Sequence, residues 1–168
     1  MNQQNAIIDH SALKANQYSI IFLALSAFVL DLPVIALSTA AVMILGTLIG
    51  KPGFIPIYTL ALKPLGLLKP DPIEDNAAPH RFAQGFGGVV LLGASLLALA
   101  GAQLAGWALV WLVIFLAALN AFAGFCVGCF IYYRLSRLRL PGFTQNPPQG
   151  SRAGFKPVKR PAEEAVNV

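Results

Sequence analysis

The sequence predicts an all-α polytopic membrane protein: four transmembrane helices in an up-down bundle, with an interfacial segment between the second and third. Three observations predict it. Hydrophobic residues make up 57% of the chain and charged residues only 11%, against roughly 25% charged in a soluble domain, so too few polar groups exist to cover a water-facing surface. Long apolar runs alternate with short turn-forming or basic stretches. All 12 Lys and Arg residues fall in segments that a four-span path brings to one side, as the positive-inside rule requires. The net charge of +5 therefore reads as a topology code. Without a folded basic face carrying base-reading groups it predicts no nucleic-acid partner.

Tyr18 to Gly50 is apolar except at Asp31-Leu32-Pro33. A single helix of that length would rise about 50 Å, well past a hydrocarbon core of roughly 30 Å. A hairpin at Asp31–Pro33 solves this, with Pro33 opening the second helix, where its missing N–H is harmless. The first two spans are placed at about 12–30 and 34–50. A cleavable signal peptide is disfavoured, because the apolar character continues through Ile49.

Pro52, Pro56, Pro64, Pro70, Pro72 and Pro79 then prevent a continuous helix. Phe54–Leu68 is nonetheless apolar, with Lys51, Lys63 and Lys69 spaced along it, which fits a segment lying in the membrane interface. Asp71–Asn76 reads as an acidic linker. The third span is placed at about 82–104, a turn at Ala105-Gly106, and the fourth span at 107–133. Trp107 and Trp111 mark one end of the fourth span, and Tyr132 and Tyr133 the other, as in interfacial aromatic belts. Residues 1–140 thus form the membrane domain.

Prolines and glycines dominate from Pro141 onward, so 141–168 is expected to be a disordered basic cytoplasmic tail. Its Arg152, Lys156, Lys159 and Arg160 suit anionic lipid, partly offset by Glu163 and Glu164. The counting puts both termini in the cytoplasm, and the lipid bilayer is the first expected partner.

Inside lipid, apolar side chains gain little by leaving lipid for each other, so small residues must permit close packing. Gly46-x-x-x-Gly50 and Gly124-x-x-x-Gly128, with Ala117 and Ala121, mark helix faces for this purpose, and Gly85, Gly87 and Gly88 crowd the start of the third span. Packing within one bundle is the simpler use; a homo-oligomer through one such face is the alternative.

Cys126-Val127-Gly128-Cys129 is the sharpest local feature. On a continuous helix, residues three apart share a face, placing both sulfurs together inside the membrane toward the basic side. Three readings remain open. The cysteines are packing residues, a redox dithiol that needs access to water or a partner thiol, or half of a tetrahedral metal site. The metal reading ranks last, because His80, the other plausible ligand, lies far along the axis. No metal or cofactor is assigned. Pro79-His80-Arg81-Phe82-Ala83-Gln84 reads first as an interfacial anchor, with Arg81 free to pair with a lipid phosphate or with Asp71, Glu74 or Asp75; the functional alternative has Arg81 and Gln84 lining a cytoplasm-facing pocket floored by the cysteines. Asp9-His10, with Lys14, Asn16 and Gln17, forms a third polar cluster, and Asn120 a polar site within the fourth span. Asn16, Gln17, Gln84, Asn120 and the cysteines together would form a polar track. No nucleophile triad, phosphate loop or dinucleotide fingerprint is present. Nor is there a charge inside the third or fourth span of the kind proton-coupled transporters use.

Asp9 with Asn16-Gln17, Pro79–Gln84, and Phe125-Cys126-Val127-Gly128-Cys129-Phe130-Ile131-Tyr132 together resemble the bacterial membrane family called domain of unknown function 4395, over about Asp9 to Leu135. Lys14 stands where an Arg is expected. The resemblance implies location in the bacterial cytoplasmic (inner) membrane. It also points to a thioredoxin-like or rhodanese-like partner, and so to thiol or sulfur chemistry at Cys126 and Cys129, with His80, Arg81, Gln84 and Asn120 as pocket residues. The rival functions are a non-catalytic membrane subunit and a channel or carrier for a small solute.

Overall fold

A computed structural model describes residues 6–148 and 150–157; the tail residues Lys159, Arg160, Glu163 and Glu164 lie outside the described residues. The elements are β1 (Ala6–Asp9), α1 (His10–Val29), α2 (Pro33–Ile49), α3 (Ile55–Ile57) running into a π-helical turn (Tyr58–Leu62), β2 (Pro72–Asp75), α4 (Ala77–Leu99), α5 (Gln103–Ala123) and α6 (Val127–Arg137).

Three helices, α1, α4 and α5, are long and apolar enough to cross a membrane; α2 is apolar but has only 17 residues. The four pack as a ring, α1 on α2 and α5, and α4 on α2 and α5, with α6 added beside α4. The surface between them is small-residue rich: Ala24, Ala27, Ala36, Ala40 and Ala94 are fully buried around Ile20, Leu91 and Val110. The outward faces carry Phe22, Leu48, Ile49, Val89, Phe115 and Phe122, all exposed. A fold with alanines inside and large apolar side chains outside is built for a solvent that those side chains do not need to avoid.

Each boundary has a local cause. Asp9 caps α1, its Oδ1 accepting from the Ser11 amide at 3.0 Å. The same carboxylate accepts from the Asp71 amide at 2.9 Å and from the Tyr58 hydroxyl at 2.6 Å, so it ties the start of α1 to the segment between α2 and α4. That hydrogen bond and burial push the Tyr58 phenol up to about 12. Asp31 takes the left-handed conformation (φ 50) and Pro33 opens α2, as the sequence predicts. Trp107 Nε1 donates to Asp31 Oδ1 at 3.2 Å, and Phe28 packs edge-on against Trp107 and Trp111, closing the end that has no basic residue.

Several sequence expectations need correction. The turn between the third and fourth spans is not at Ala105-Gly106 but at Ala100–Ala102, with Gly101 left-handed (φ 92). Gly106 lies inside α5, where a Cβ would meet the Ala94 carbonyl oxygen at 2.7 Å; it is a packing glycine, not a turn glycine. The acidic linker is not irregular, because Pro72–Asp75 pairs antiparallel with Ala6–Asp9 in a two-stranded sheet. Gly124 and Gly128 do not share a helix face, since one ends α5 and the other lies in α6 against Ala83. Tyr132 and Tyr133 are buried rather than part of a lipid-facing belt.

Close packing at Gly106 predicts that Gly106→Leu lowers stability by about 1–3 kcal/mol or more through overpacking. Gly93→Ala, where nothing lies within 4 Å, should be neutral or stabilising by up to about 1 kcal/mol from helix propensity. Denaturant titration in detergent micelles followed by circular dichroism measures both.

Candidate functional site

The fourth apolar stretch is two helices, and the break creates the site. Gly124 ends α5 in the left-handed conformation (φ 65), which glycine adopts without a Cβ clash. Phe125 and Cys126 are extended, and Cys126 becomes the N-cap of α6. A break in a helix strands backbone groups that must find partners. Here the C-terminal segment supplies them: the Cys126 amide donates to the Gly154 carbonyl at 2.7 Å, and the Lys156 amide donates to the Gly124 carbonyl at 3.0 Å. The expectation of one helix over 107–133, with both cysteines on one face of it, is thereby corrected.

The expectation of an unstructured chain from Pro141 also fails for its described part. Besides the Gly154 and Lys156 contacts, Phe143 packs on Phe82 and Tyr132, and the Asn146 carbonyl accepts from Asn76 Nδ2 at 2.7 Å. Lys156 Nζ pairs with Asp71 at 2.5 Å.

As N-cap, Cys126 Sγ accepts a hydrogen bond from the Cys129 amide at 3.2 Å. The two thiols are free and buried, and their environments differ. Hydrogen bonding from the Cys129 side chain is the largest influence on Cys126; with the nearby His80 and the amides of Gly128 and Cys129 it outweighs burial and draws the thiol down to about 7. Cys129 is pushed well up, because it donates that hydrogen bond, is buried, and would add negative charge beside Cys126 and Asp75. Cys126 is thus the more acidic of the two sulfurs.

His80, in the first turns of α4, is not remote. Its Nδ1 lies 3.5 Å from Cys129 Sγ, and its Nε2 lies 2.8 Å from Asp75 Oδ2. Asp75 closes β2, whose alternation turns Ile73 and Asp75 inward. Its other oxygen accepts from the Asn76 amide at 2.7 Å. His10, the first residue of α1, places Nε2 3.2 Å from the same Oδ2, and the two imidazole rings meet edge to face at 5.8 Å. Burial alone would raise the Asp75 carboxyl, but its contacts with both histidines and the Asn76 amide hold it well below the usual carboxylate range. Cys129, His80 and Asp75 therefore form a sulfur–imidazole–carboxylate line in which a proton leaving sulfur has an acceptor, and the acceptor's charge has a counterion.

The other predicted residues are distributed around this line. Arg81 turns away, its guanidinium donating to the Thr47 carbonyl at 3.3 Å beside the left-handed Gly50. It pairs with none of the acidic residues expected for it: Asp71 takes Lys156, and Asp75 takes the histidines. Gln84 Nε2 donates to the Met43 carbonyl at 2.9 Å, while its Oε1 accepts from Asn16 Nδ2 at 3.4 Å and from the Gly53 amide at 3.3 Å. With Asn16 Oδ1 accepting from the Phe54 amide at 3.0 Å, Asn16 and Gln84 hold the end of α2 and the start of the interfacial segment. They do not join the cysteines in a hydrogen-bonded track. Asn120 and Gln17 line two cavities that reach Cys126. One, of about 40 Å³, is polar-edged by His10, Lys14, Tyr133 and Lys156; the other, of about 130 Å³, runs up between α1, α4 and α5 past Ile20, Val90 and Leu112.

Sequence reasoning missed Asp75 and His10 as members of the site. The only signal was the four-residue alternation of Pro72–Asp75 and the adjacency of Asp9 and His10, both too short to reveal a strand pair on their own.

A family model described as a domain of unknown function (DUF4395) matches residues 8–137. No curated protein and no solved structure matches the chain. The matched range contains His10, Asp75, His80, Cys126 and Cys129.

Two outcomes follow from this geometry. In metal-stripped, reduced protein, alkylation of Cys126 should rise with pH through a midpoint near 7, below the roughly 8.5 of a free thiol, while Cys129 stays unmodified; peptide mass spectrometry after pH-stepped iodoacetamide reads both. A depressed carboxyl stabilises above its unfolded pKa and loses that contribution as pH falls toward its folded value. Asp75 should therefore contribute fully above about pH 4 and progressively less below. Asp75→Asn should remove that acid-dependent part and cost about 1–3 kcal/mol at neutral pH, by denaturant titration at several pH values.

Proposed function

The chain belongs to the family described as a domain of unknown function (DUF4395), matched over residues 8–137, and from that premise we propose that it is a thiol–disulfide exchange protein of the bacterial inner membrane, with Cys126 as attacking sulfur and Cys129 as resolving sulfur. The observation that carries this reading is Cys126 at the N-terminus of α6, its sulfur accepting the Cys129 amide at 3.2 Å. A helix N-terminus stabilises an anion there, and only the thiolate attacks.

The exchange proceeds in two steps. The Cys126 thiolate attacks one sulfur of a partner disulfide, forming a mixed disulfide and releasing a partner thiolate, which takes up a proton. Cys129 then gives its proton to His80 Nδ1 and attacks the Cys126 sulfur. The Cys126–Cys129 disulfide forms and the second partner sulfur leaves as a thiol. Two electrons pass from this chain to the partner, and the reverse direction runs through the same atoms. The ligand atoms of His80, Cys126 and Cys129 lie within 4.8 Å of one another, so ring closure needs a side-chain rotation rather than a refolding. Asp75 stabilises the imidazolium. Arg81 and Gln84, engaged with the end of α2, support the scaffold, and Asn120 lines the approach.

In this reading α2 is the fourth span; its 17 residues meet the lower limit for crossing. The four crossings put Lys14, Lys51, Arg81 and Arg134 on one side with the cysteines, and the positive-inside rule makes that side cytoplasmic. Reductant then comes from a thioredoxin-like partner in the cytoplasm.

Membranes treated with oxidant should show loss of both free thiols and a Cys126–Cys129 linkage by non-reducing mass spectrometry. Cys129→Ser should trap a mixed disulfide on Cys126, and His80→Ala should slow exchange by about 100-fold, the lower range for a positioned acid–base group. If neither thiol changes oxidation state in the folded protein under oxidant while both label after denaturation, the redox role is lost.

A further inference from the structure

We propose that the reduced protein binds one Zn²⁺ ion through Cys126 Sγ, Cys129 Sγ and His80 Nδ1, with the fourth position open to the cavity of about 40 Å³. The proposal uses the sulfurs of the exchange reaction but does not depend on that reaction occurring.

Four observations carry it. The first is spacing. Zinc–sulfur bonds of about 2.3 Å and zinc–nitrogen bonds of about 2.0–2.1 Å, arranged tetrahedrally, put sulfur and nitrogen about 3.6 Å apart. Cys129 Sγ and His80 Nδ1 are 3.5 Å apart, and the three ligand atoms lie within 4.8 Å of one another. The second is orientation. A metal-binding imidazole characteristically donates its other nitrogen to a carboxylate, and His80 Nε2 lies 2.8 Å from the buried Asp75 Oδ2. The third is charge. Two thiolates and one dication sum to zero, which lets a buried site hold ionised sulfur without a net charge; the Cys129 amide hydrogen-bonded to Cys126 Sγ suits that thiolate further. The fourth is room. The adjoining cavity, edged by His10, Lys14 and Tyr133, is large enough for a water molecule as the fourth ligand.

His10, Asp75 and His80 form a second cluster of the right residue types, but it is a poorer site. His80 Nε2 already bonds the Asp75 carboxylate at 2.8 Å, with His10 Nε2 3.2 Å from the same oxygen but without a hydrogen-bond partner, so an ion there would have to displace the contact that orients His80. Two sulfurs and one nitrogen also match zinc better than a set with a single shared carboxylate.

The test uses the full chain in detergent micelles, reduced and stripped with chelator. Zn²⁺ is titrated against a chromophoric competitor, and Co²⁺ serves as a spectroscopic probe. We expect one equivalent of zinc, and for Co²⁺ a thiolate charge-transfer band with tetrahedral visible absorption. Cys126→Ser/Cys129→Ser should abolish both, His80→Ala should weaken binding at least 10-fold, and Asp75→Asn about 10–100-fold, while His10→Ala should change it no more than a few-fold. Circular dichroism of each variant confirms that the helices remain. The site is refuted by zinc affinity equal to that of the double serine variant, by an octahedral cobalt spectrum, or by loss of binding in His10→Ala with retention in His80→Ala. Disulfide formation is scored separately on the same stripped protein, so either reading can fail while the other stands.

Discussion

The buried carboxylate of Asp75 between two imidazoles is the constraint on which the rest of the structure turns. It joins three pieces that the sequence keeps far apart: the start of α1 through His10, the end of β2, and the start of α4 through His80. A charge removed from water is tolerated only when paired and hydrogen-bonded, and Asp75 meets that condition through His80 and the Asn76 amide, with His10 Nε2 3.2 Å away. The two-stranded sheet carries this carboxylate at the end of β2, and Asp9 anchors the other strand by capping α1 and accepting from Asp71 and Tyr58. One polar knot therefore fixes the basic end of the helix ring, whereas the opposite end relies on Trp107, Phe28 and Asp31.

The second constraint is the break between α5 and α6, and the two constraints meet at Cys129. An uninterrupted helix would carry the cysteines on one face with every amide committed to the carbonyl four residues back. Gly124 ends that pattern, and the freed amide at Cys129 turns to sulfur instead. The stranded groups at Gly124 and Cys126 are met by Lys156 and Gly154, so the C-terminal segment is part of the site. His80 then reaches Cys129 from α4 with Asp75 behind it. Because Gly128 lets α6 approach until a Cβ would come within 2.5 Å of the Ala83 Cβ, the approach of sulfur to imidazole is set by a close contact next to Cys129 and one turn from His80.

What the sequence made legible followed from bulk physics. Apolar runs, the Asp31–Pro33 hairpin and the start of α2 at Pro33 are dictated by length, helix rise and proline geometry, and the structure has them. The Cys126–Cys129 pair was also visible, because two cysteines three apart in an otherwise cysteine-free chain stand out. The rest depended on contacts between distant segments. Nothing local tells Gly124 to be a cap rather than one more packing glycine; that is decided by Gly154 and Lys156 arriving from 30 residues on. Strands of four residues give too little alternation to be recognised, so Asp75 reads as linker and His10 as one member of a polar cluster before the first span. His80 looks distant along the axis only while Cys126 and Cys129 are placed within one straight helix over 107–133.

Placing the pair at the start of a separate helix changes the chemistry open to it. A thiol held within hydrocarbon keeps its proton, since ionising it there carries the full cost of an unsolvated anion. The start of α6 supplies what a continuous helix withholds: a backbone amide for sulfur, with an imidazole and a polar cavity beside it. The long apolar cavity that reaches Cys126 from between α1, α4 and α5 leaves one flank of the same sulfur facing the bundle interior. Cys126 therefore stands at a boundary, polar on the side of Lys14 and Tyr133 and apolar on the side of Val90 and Leu112. The helix break, rather than the residue types alone, gives two buried cysteines unlike surroundings, Cys126 capping α6 and Cys129 facing His80.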